Sequence, residues 1–267
     1  MFGRIAGVIV LSLAISGASF AQGEKPAETK KAPSKTTATW WGHAAWIIET
    51  PGGARIAIDP WLKNPNAPKD AKWPDQLDAI LVSHGHFDHV GDAVELAKKT
   101  GAPIYGSFEL VNLLNANPEK DVGANIGGTF QIKDVTLHIV EAAHSSGFGD
   151  PKTGLKYGGP ATGFVLEIAK GPTLYHAGDT GVFATMEYIQ QQFHPTVAML
   201  PIGGHFTMDP AGAALAEKIL KAKTLVPMHY GTFPLLTGTP DQLKAELKKA
   251  RLSAKVVAPK PGESITF

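Results

Sequence analysis

Residues 80–92 read ILVSHGHFDHVGD, a short apolar run that ends in four potential metal ligands within six residues: His84, His86, Asp88 and His89. Four such side chains act together only if something rigid makes them converge. On a regular strand His84 and His86 share a face, while Asp88 and His89 oppose each other. A loop at the end of a buried strand removes that conflict, and Gly85 lets the backbone turn there. The pattern therefore asks for an apolar strand feeding a ligand-bearing loop. A histidine-rich surface loop is the alternative. The chain has only ten histidines in 267 residues, so three within six positions directly after an apolar run favour metal binding.

There is no cysteine, which excludes thiolate ligands, thiol nucleophiles and disulfides. Imidazole and carboxylate donors without sulfur suit Zn, Mn, Fe or Ni rather than Cu(I). One such cluster cannot close two metal sites, so further donors are expected at other strand ends. His144 in EAAHSSG, Asp179 in YHAGDTG and His229 in VPMHYGT each stand just past an apolar run.

Strand and helix signals alternate from Thr37 onward. ATWWGHAAWIIET and GARIAID read as two strands joined through Pro51, Gly52 and Gly53. LDAILVS, VTLHIVEAA, TGFVLEIA, PTLYHAGD, TVAMLPIGG and TLVPMHYG read as further strands. Helices are predicted at GDAVELAKKTG, stopped by Gly101, and at VFATMEYIQQQF. Two more are predicted at DPAGAALAEKILKAK, with Pro210 in its first turn, and at TPDQLKAELKKAR. That order implies an α/β fold in which sheets are covered by helices.

Residues 1–21, MFGRIAGVIVLSLAISGASFA, carry Arg4, an apolar run and small residues at 19 and 21. This is the pattern of a secretory signal peptide cleaved after Ala21, too short in its apolar part to span a bilayer comfortably. Residues 22–36, rich in Lys, Pro, Ala and Thr, are expected to be a disordered leader, and residues 37–267 the functional domain. The protein is thus expected to be exported, periplasmic or secreted, with no stable membrane insertion after cleavage. The full chain has 25 basic and 24 acidic residues; without Arg4 and the leader's four Lys and two Glu, 20 basic and 22 acidic remain. That balance of −2 argues against a nucleic-acid partner and leaves a small-molecule substrate as the expected one. The oligomeric state is not readable from these features.

HGHFDH fits the H-x-H-x-D-H signature of the metallo-β-lactamase superfamily. IDPWLKNP, SHGHFDHVGDAVELAKKTGAPIYG, HSSG, GGPATGFVLE, YHAGDTG, LPIGGHFTMDPAGAALA and VPMHYGTFPLL resemble, more closely, its branch of metal-dependent hydrolases of unassigned substrate. That branch is similar to ascorbate-phosphate lactonase-like and phospholipase D-like members. The resemblance covers essentially Thr37 to the C-terminus. It implies a four-layer αββα sandwich with two divalent ions, zinc foremost, at one edge between two sheets. His84, His86 and His144 would hold the first, Asp88, His89 and His229 the second, and Asp179 would bridge them. A water or hydroxide between the ions would be the nucleophile.

Asp59, at the end of ARIAIDP, is read as an orienting partner for a ligating histidine, or else as a turn-initiating residue before Pro60. His43, in WWGHAAW, either supports the site or packs in the core. His205 follows Gly203 and Gly204 at a strand end. It is counted with Asp88 as a catalytic residue, contacting substrate or protonating the leaving group, with loop capping as the alternative. His176 has no assigned role, His138 and His194 read as surface or capping residues, and the five tryptophans as core, with cleft lining as the alternative.

Three functions compete: a dinuclear hydrolase of an ester, lactone or phosphoester; an exported β-lactamase; and a non-catalytic metal-binding protein. The resemblance disfavours the second, because true lactamases of the superfamily lack a bridging aspartate at the place of Asp179. The signal-peptide pattern carries its own prediction. Exported material should begin at or near Gln22 on N-terminal sequencing, and an intact Met1 on cytoplasmic protein would refute it.

Overall fold

The computed structural model describes residues 34–267 and, apart from these, Gly3. The expected signal peptide otherwise, and all but the last three residues of the expected leader, lie outside the described residues. The first elements are strands β1 (Thr37–Trp40), β2 (Trp46–Glu49), β3 (Arg55–Ile58) and β4 (Ala79–Leu81). Then come the short helix α1 (Phe87–Val90), α2 (Ala93–Thr100), β5 (Ile104–Ser107), α3 (Phe108–Leu114) and β6 (Val122–Ala124). The middle of the chain forms β7 (Thr129–Ile132), β8 (Val135–Glu141), β9 (Gly147–Asp150), β10 (Gly154–Tyr157), β11 (Thr162–Ile168) and β12 (Thr173–His176). It closes with α4 (Met186–Phe193), β13 (Val197–Pro201), α5 (Pro210–Leu220), β14 (Thr224–Met228), α6 (Pro240–Lys249), β15 (Lys255–Val256) and β16 (Ser264–Thr266).

Two sheets result, one in the order β16-β1-β2-β3-β4-β5-β6 and the other β15-β14-β13-β12-β11-β8-β7, with β9 and β10 forming a separate hairpin. Alternation along the strands builds four layers, because successive side chains point to opposite faces. Ile48, Ile56 and Ile58 of the first sheet meet Phe164, Leu166 and Met199 of the second in a shared core. Their neighbours Ile47 and Ala57 face outward under α2 and α3, among Leu96, Leu110 and Val111. Val165, Ala198 and Leu200 face the other way, under Met186 of α4, Leu220 of α5 and Leu243 of α6. The architecture is the αββα sandwich, and its inner strands, such as β3, β11 and β13, carry apolar residues on both faces.

Strand direction positions the site. β3 and β4 are parallel, and β1 runs the same way because it is antiparallel to β2, itself antiparallel to β3. In the second sheet β12, β13 and β14 are parallel, and β8 shares their direction through antiparallel β11. His43, Asp59 and His84 therefore follow carboxyl ends in the first sheet, and His144, Asp179 and His229 follow carboxyl ends in the second. Backbone bonds stitch the sheets at this edge: His229 N–H donates to His43 O at 2.9 Å, and Thr162 N–H to Ser83 O at 2.9 Å.

Several elements differ from the sequence expectation. ATWWGHAAWIIET is two strands, not one. Gly42 at φ +97° and His43 at φ 54° make a turn between them, closed by Ala45 N–H on Gly42 O. The helix expected from Val182 starts at Met186. The ligand loop contains a helical turn, α1, so Asp88 and His89 are placed by helix geometry rather than by an irregular loop. Thr36 is already 1% exposed, and its carbonyl accepts from Phe267 N–H, so order begins before the expected domain boundary at Thr37.

Glu217 of α5 is 3% exposed, and burial pushes its carboxyl up to about 7, only partly opposed by the Ala222 N–H it accepts. Its protonated form is favoured in the folded chain. The associated stability is therefore present below the ordinary value of 4.5 and lost as pH rises through about 7, at most about 3 kcal/mol. Glu217→Gln keeps the acceptor and should match wild type at pH 5. At pH 8 it should melt higher, on the order of 5 °C; equal melting temperatures at pH 8 would refute the assignment.

Candidate metal centre

Two buried residues, Asp59 and Ser83, organise the ligand loop. Asp59 Oδ1 accepts from Ser83 N–H at 2.7 Å, and Oδ2 accepts from Ser83 Oγ–H at 2.7 Å. Asp59 Oδ2 also lies 2.7 Å from His89 Nδ1. With its own proton committed to Asp59, Ser83 Oγ accepts from His84 Nδ1–H at 3.0 Å. One carboxylate therefore engages the Nδ1 side of both His84 and His89 and turns both Nε2 atoms toward the cluster, where His84 Nε2 lies 2.9 Å from His86 Nδ1.

The sequence-predicted ligands come together. Donor atoms of His84, His86 and His144 lie within 4.8 Å of one another, and so do those of His43, Asp88, His89 and His229. Asp179 faces both sets. Its Oδ1 is 3.3 Å from His89 Nε2, and its Oδ2 is 3.1 Å from His229 Nε2, 3.6 Å from His144 Nε2 and 4.0 Å from His84 Nε2. His89 Nε2, His229 Nε2 and Asp179 Oδ1 are buried and make no hydrogen bond despite this crowding. Orphaned nitrogens and a carboxylate oxygen aimed at common points are what cation ligands look like. The donor set, imidazole and carboxylate, fits a divalent ion.

Backbone geometry supports this convergence. Gly178, just before Asp179, has φ +60°, and a Cβ there would lie 2.6 Å from Thr162 O and 2.9 Å from Ser83 Cβ. The same turn is shaped by His176, whose buried Nδ1 accepts from Gly178 N–H at 3.2 Å. His43, Asp59 and His229 all occupy the left-handed region, at φ 54°, 44° and 55°. Strain of this kind persists where the surroundings over-determine it.

Charge follows burial and pairing. Burial pushes His84, His86 and His144 down, so these imidazoles stay neutral. Burial also works against protonation of His89 and His229, but Asp179 and the other carboxylates outweigh it. His89 is held well above its ordinary value, and His229 is pushed up to about 9. Burial would raise Asp88 and Asp179, yet the surrounding histidines hold both well below the usual carboxylate range.

His43 is fully buried, and burial together with His229 lowers it to about 4, so it is neutral. Its Nε2 is 2.9 Å from Asp88 Oδ2, and its Nδ1 is 2.9 Å from Thr232 Oγ1. A neutral ring in this place donates Nε2–H to the carboxylate and accepts the threonine hydroxyl. His205, by contrast, is exposed, with its ring edge-on to Phe206 at 4.4 Å; among the described residues it has no hydrogen bond to the cluster. Its loop still touches the site's frame, because a Cβ on Gly203 would lie 2.2 Å from His229 O. His138 bonds Glu167 and Thr129, and His194 caps α4. Ser83 and Thr232 have no signal in the sequence, since hydroxyl residues gain such roles only from tertiary neighbours. Trp61 is buried, as expected, and stands edge-on to His43 at 5.3 Å.

The chain matches the family model described as the beta-lactamase superfamily domain over residues 37–229. It is 62% identical over 261 residues to a UPF0173 metal-dependent hydrolase of Myxococcus xanthus, covering 94% of this chain and 93% of that one. It is 45% identical over 228 residues to a relative of the same description from Koribacter versatilis, covering 85% and 96%. Among solved structures it is similar to Igni18, a metallo hydrolase of Ignicoccus hospitalis, with 37% identity, a TM-score of 0.75 and coverage of 87% and 98%. The fold alone is shared with YhfI of Bacillus subtilis, a metallo-beta-lactamase fold protein at 17% identity, a TM-score of 0.64 and coverage of 86% and 99%.

Asp59→Asn should disturb both ligand sets at once, because the amide cannot accept from both Ser83 Oγ and His89 Nδ1. Metal affinity, measured by competition with a chromophoric chelator, should fall about 10- to 100-fold. Unchanged affinity would remove Asp59 from the centre.

Proposed function

The chain belongs to the UPF0173 metal-dependent hydrolases of the beta-lactamase superfamily, and we propose that it cleaves an ester, lactone or phosphoester bond at a dinuclear site. The observation that carries this reading is a single carboxylate, Asp179, that faces both ligand groups, His84, His86 and His144 on one side and His43, Asp88, His89 and His229 on the other, and itself groups with His84 and His89. His84, His86 and His144 would hold one divalent ion, and Asp88, His89 and His229 the other, with Asp179 shared. Zinc is the proposed ion, with Mn, Fe and Ni suited to the same donors. Two such ions supply an acidified water near neutral pH and polarise the bond to be cut.

The protein's own groups do the rest. Asp59 and Ser83 keep His84 and His89 in the ligating tautomer. His43 orients Asp88, whose carboxylate is the more solvent-reaching of the two, 13% exposed against 3% for Asp179. The substrate enters from the side of Asp88, His86 and His144, because the remaining ligands are buried. His205 is proposed as the group that contacts substrate or protonates the leaving oxygen, supported by its place on the Gly203–Gly204 loop against His229. The export expected from residues 1–21 belongs to the same proposal, an enzyme acting outside the cytoplasm.

Metal analysis followed by a screen of esters, lactones and phosphodiesters tests this function. Wild type should carry two metals per chain, and Asp179→Ala should lose at least one with most turnover. Full metal content and full turnover in Asp179→Ala would overturn the shared-ligand reading. His205→Ala should keep its metals and lose kcat on the order of 10²-fold, less for esters with good leaving groups. Unchanged kcat on all esters would remove His205 from the mechanism.

A further inference from the structure

The Asp88 end of the cluster opens beside a wall of aromatic rings. Phe87 lies between His86 and Asp88 in sequence, and while its neighbours point into the cluster its own ring is 65% exposed. The Trp61 ring stands edge-on to it at 5.6 Å, and Phe233 completes the set at 6.1 Å from Trp61 and 6.5 Å from Phe87. The wall is continuous with the ligands, because His43 is 5.3 Å from Trp61 and 5.8 Å from Phe233, and its Nε2 meets Asp88. Exposed apolar side chains scattered singly need no explanation, but rings in mutual contact beside an open polar cluster do.

The wall is also held in place. A Cβ on Gly91 would lie 2.3 Å from Pro60 O and 2.7 Å from Trp61 Cβ, so the end of α1 is packed directly on this segment. Asp92 clamps the same segment from both sides, with its N–H donating to Pro60 O and its carboxylate accepting from Leu62 N–H, each at 2.6 Å. Phe233 opens a turn closed by Leu236 N–H on Phe233 O at 2.9 Å. Such pre-set surfaces bind without a large ordering cost. The wall's own segment carries Lys63, whose Nζ lies 3.9 Å from both Asp92 Oδ1 and Glu95 Oε2. Among the described residues, every ion pair of Asp88 and Asp179 is with a histidine, and no Lys or Arg takes part.

We propose that Trp61, Phe87 and Phe233 form the subsite that takes an uncharged acyl or aryl group of the substrate, next to the bond being cut. This rests on the hydrolase reading above and deepens it: the substrate carries an apolar acyl or aryl group beside the bond being cut. Phe87 and Phe233 are then specificity-determining residues, and Trp61 is their backing.

The test uses the metal-loaded protein and binding rather than turnover. Acetohydroxamate and octanohydroxamate share a metal-seeking head and differ in their alkyl chain. By calorimetry, wild type should bind the octanoyl probe more tightly than the acetyl probe, on the order of 50-fold, with one side of the chain left in water. Phe87→Ala and Phe233→Ala should each reduce that ratio to below about 10-fold at wild-type metal content, and Phe87→Leu should restore part of it. The exposed Phe87 serves as the variant that folds even if Phe233→Ala does not. Equal binding of the two probes by wild type, or an unchanged ratio in Phe87→Ala, would overturn the wall while leaving the metal-site reading intact. If neither probe binds, both readings fall together.

Discussion

A single buried carboxylate underlies the metal centre. Asp59 is fully buried, and it is satisfied by the Ser83 backbone, the Ser83 hydroxyl and the His89 ring. A buried charge persists only when such partners are complete. Because Ser83 passes the constraint on to His84, residues of both candidate ligand groups share one origin. The two halves of the centre are therefore built as a unit rather than as two independent sites.

The sandwich is what makes this economical. Each sheet alone would present its strand ends along an edge, with no means of closing a ligand shell. The bonds from His229 to His43 and from Thr162 to Ser83 draw the two edges together where the ligands emerge. Ligands separated by most of the chain are thus brought together, His84, His144, Asp179 and His229 just past carboxyl ends of strands and Asp88 and His89 on α1. The more open side carries the exposed ring of Phe87 and the segments bearing Trp61 and Phe233, none of which is a ligand.

Much of the centre is legible in the sequence, since metal ligands must be His, Asp or Glu when Cys is absent, and strand ends are marked by apolar runs. The αββα layering becomes legible mainly through resemblance; alternation alone reaches only as far as sheets covered by helices. The turn at Gly42 and His43 is hidden because WWGHAAW is apolar on both sides of it. Helix α3 is hidden because FELVNLL is a short apolar run that periodicity cannot assign. Ser83, Thr232 and Phe233 are hidden for a different reason. Their chemistry is common, and only contacts distant in sequence, such as that between His43 and Thr232, give them a part in the site.

The left-handed backbone at His43, Asp59 and His229 limits what can follow them in descent. Asn, Asp, His and Gly tolerate that conformation best, whereas β-branched and bulky residues are strained there. Two filters, one of donor chemistry and one of torsion angle, thus act on the same three positions. A descendant that replaced His229 by Asn or Gly would lose a donor and keep its backbone. The lineage therefore has a cheap path by which the sandwich outlives its enzyme, leaving folded relatives in which the scaffold is intact and the chemistry has lapsed.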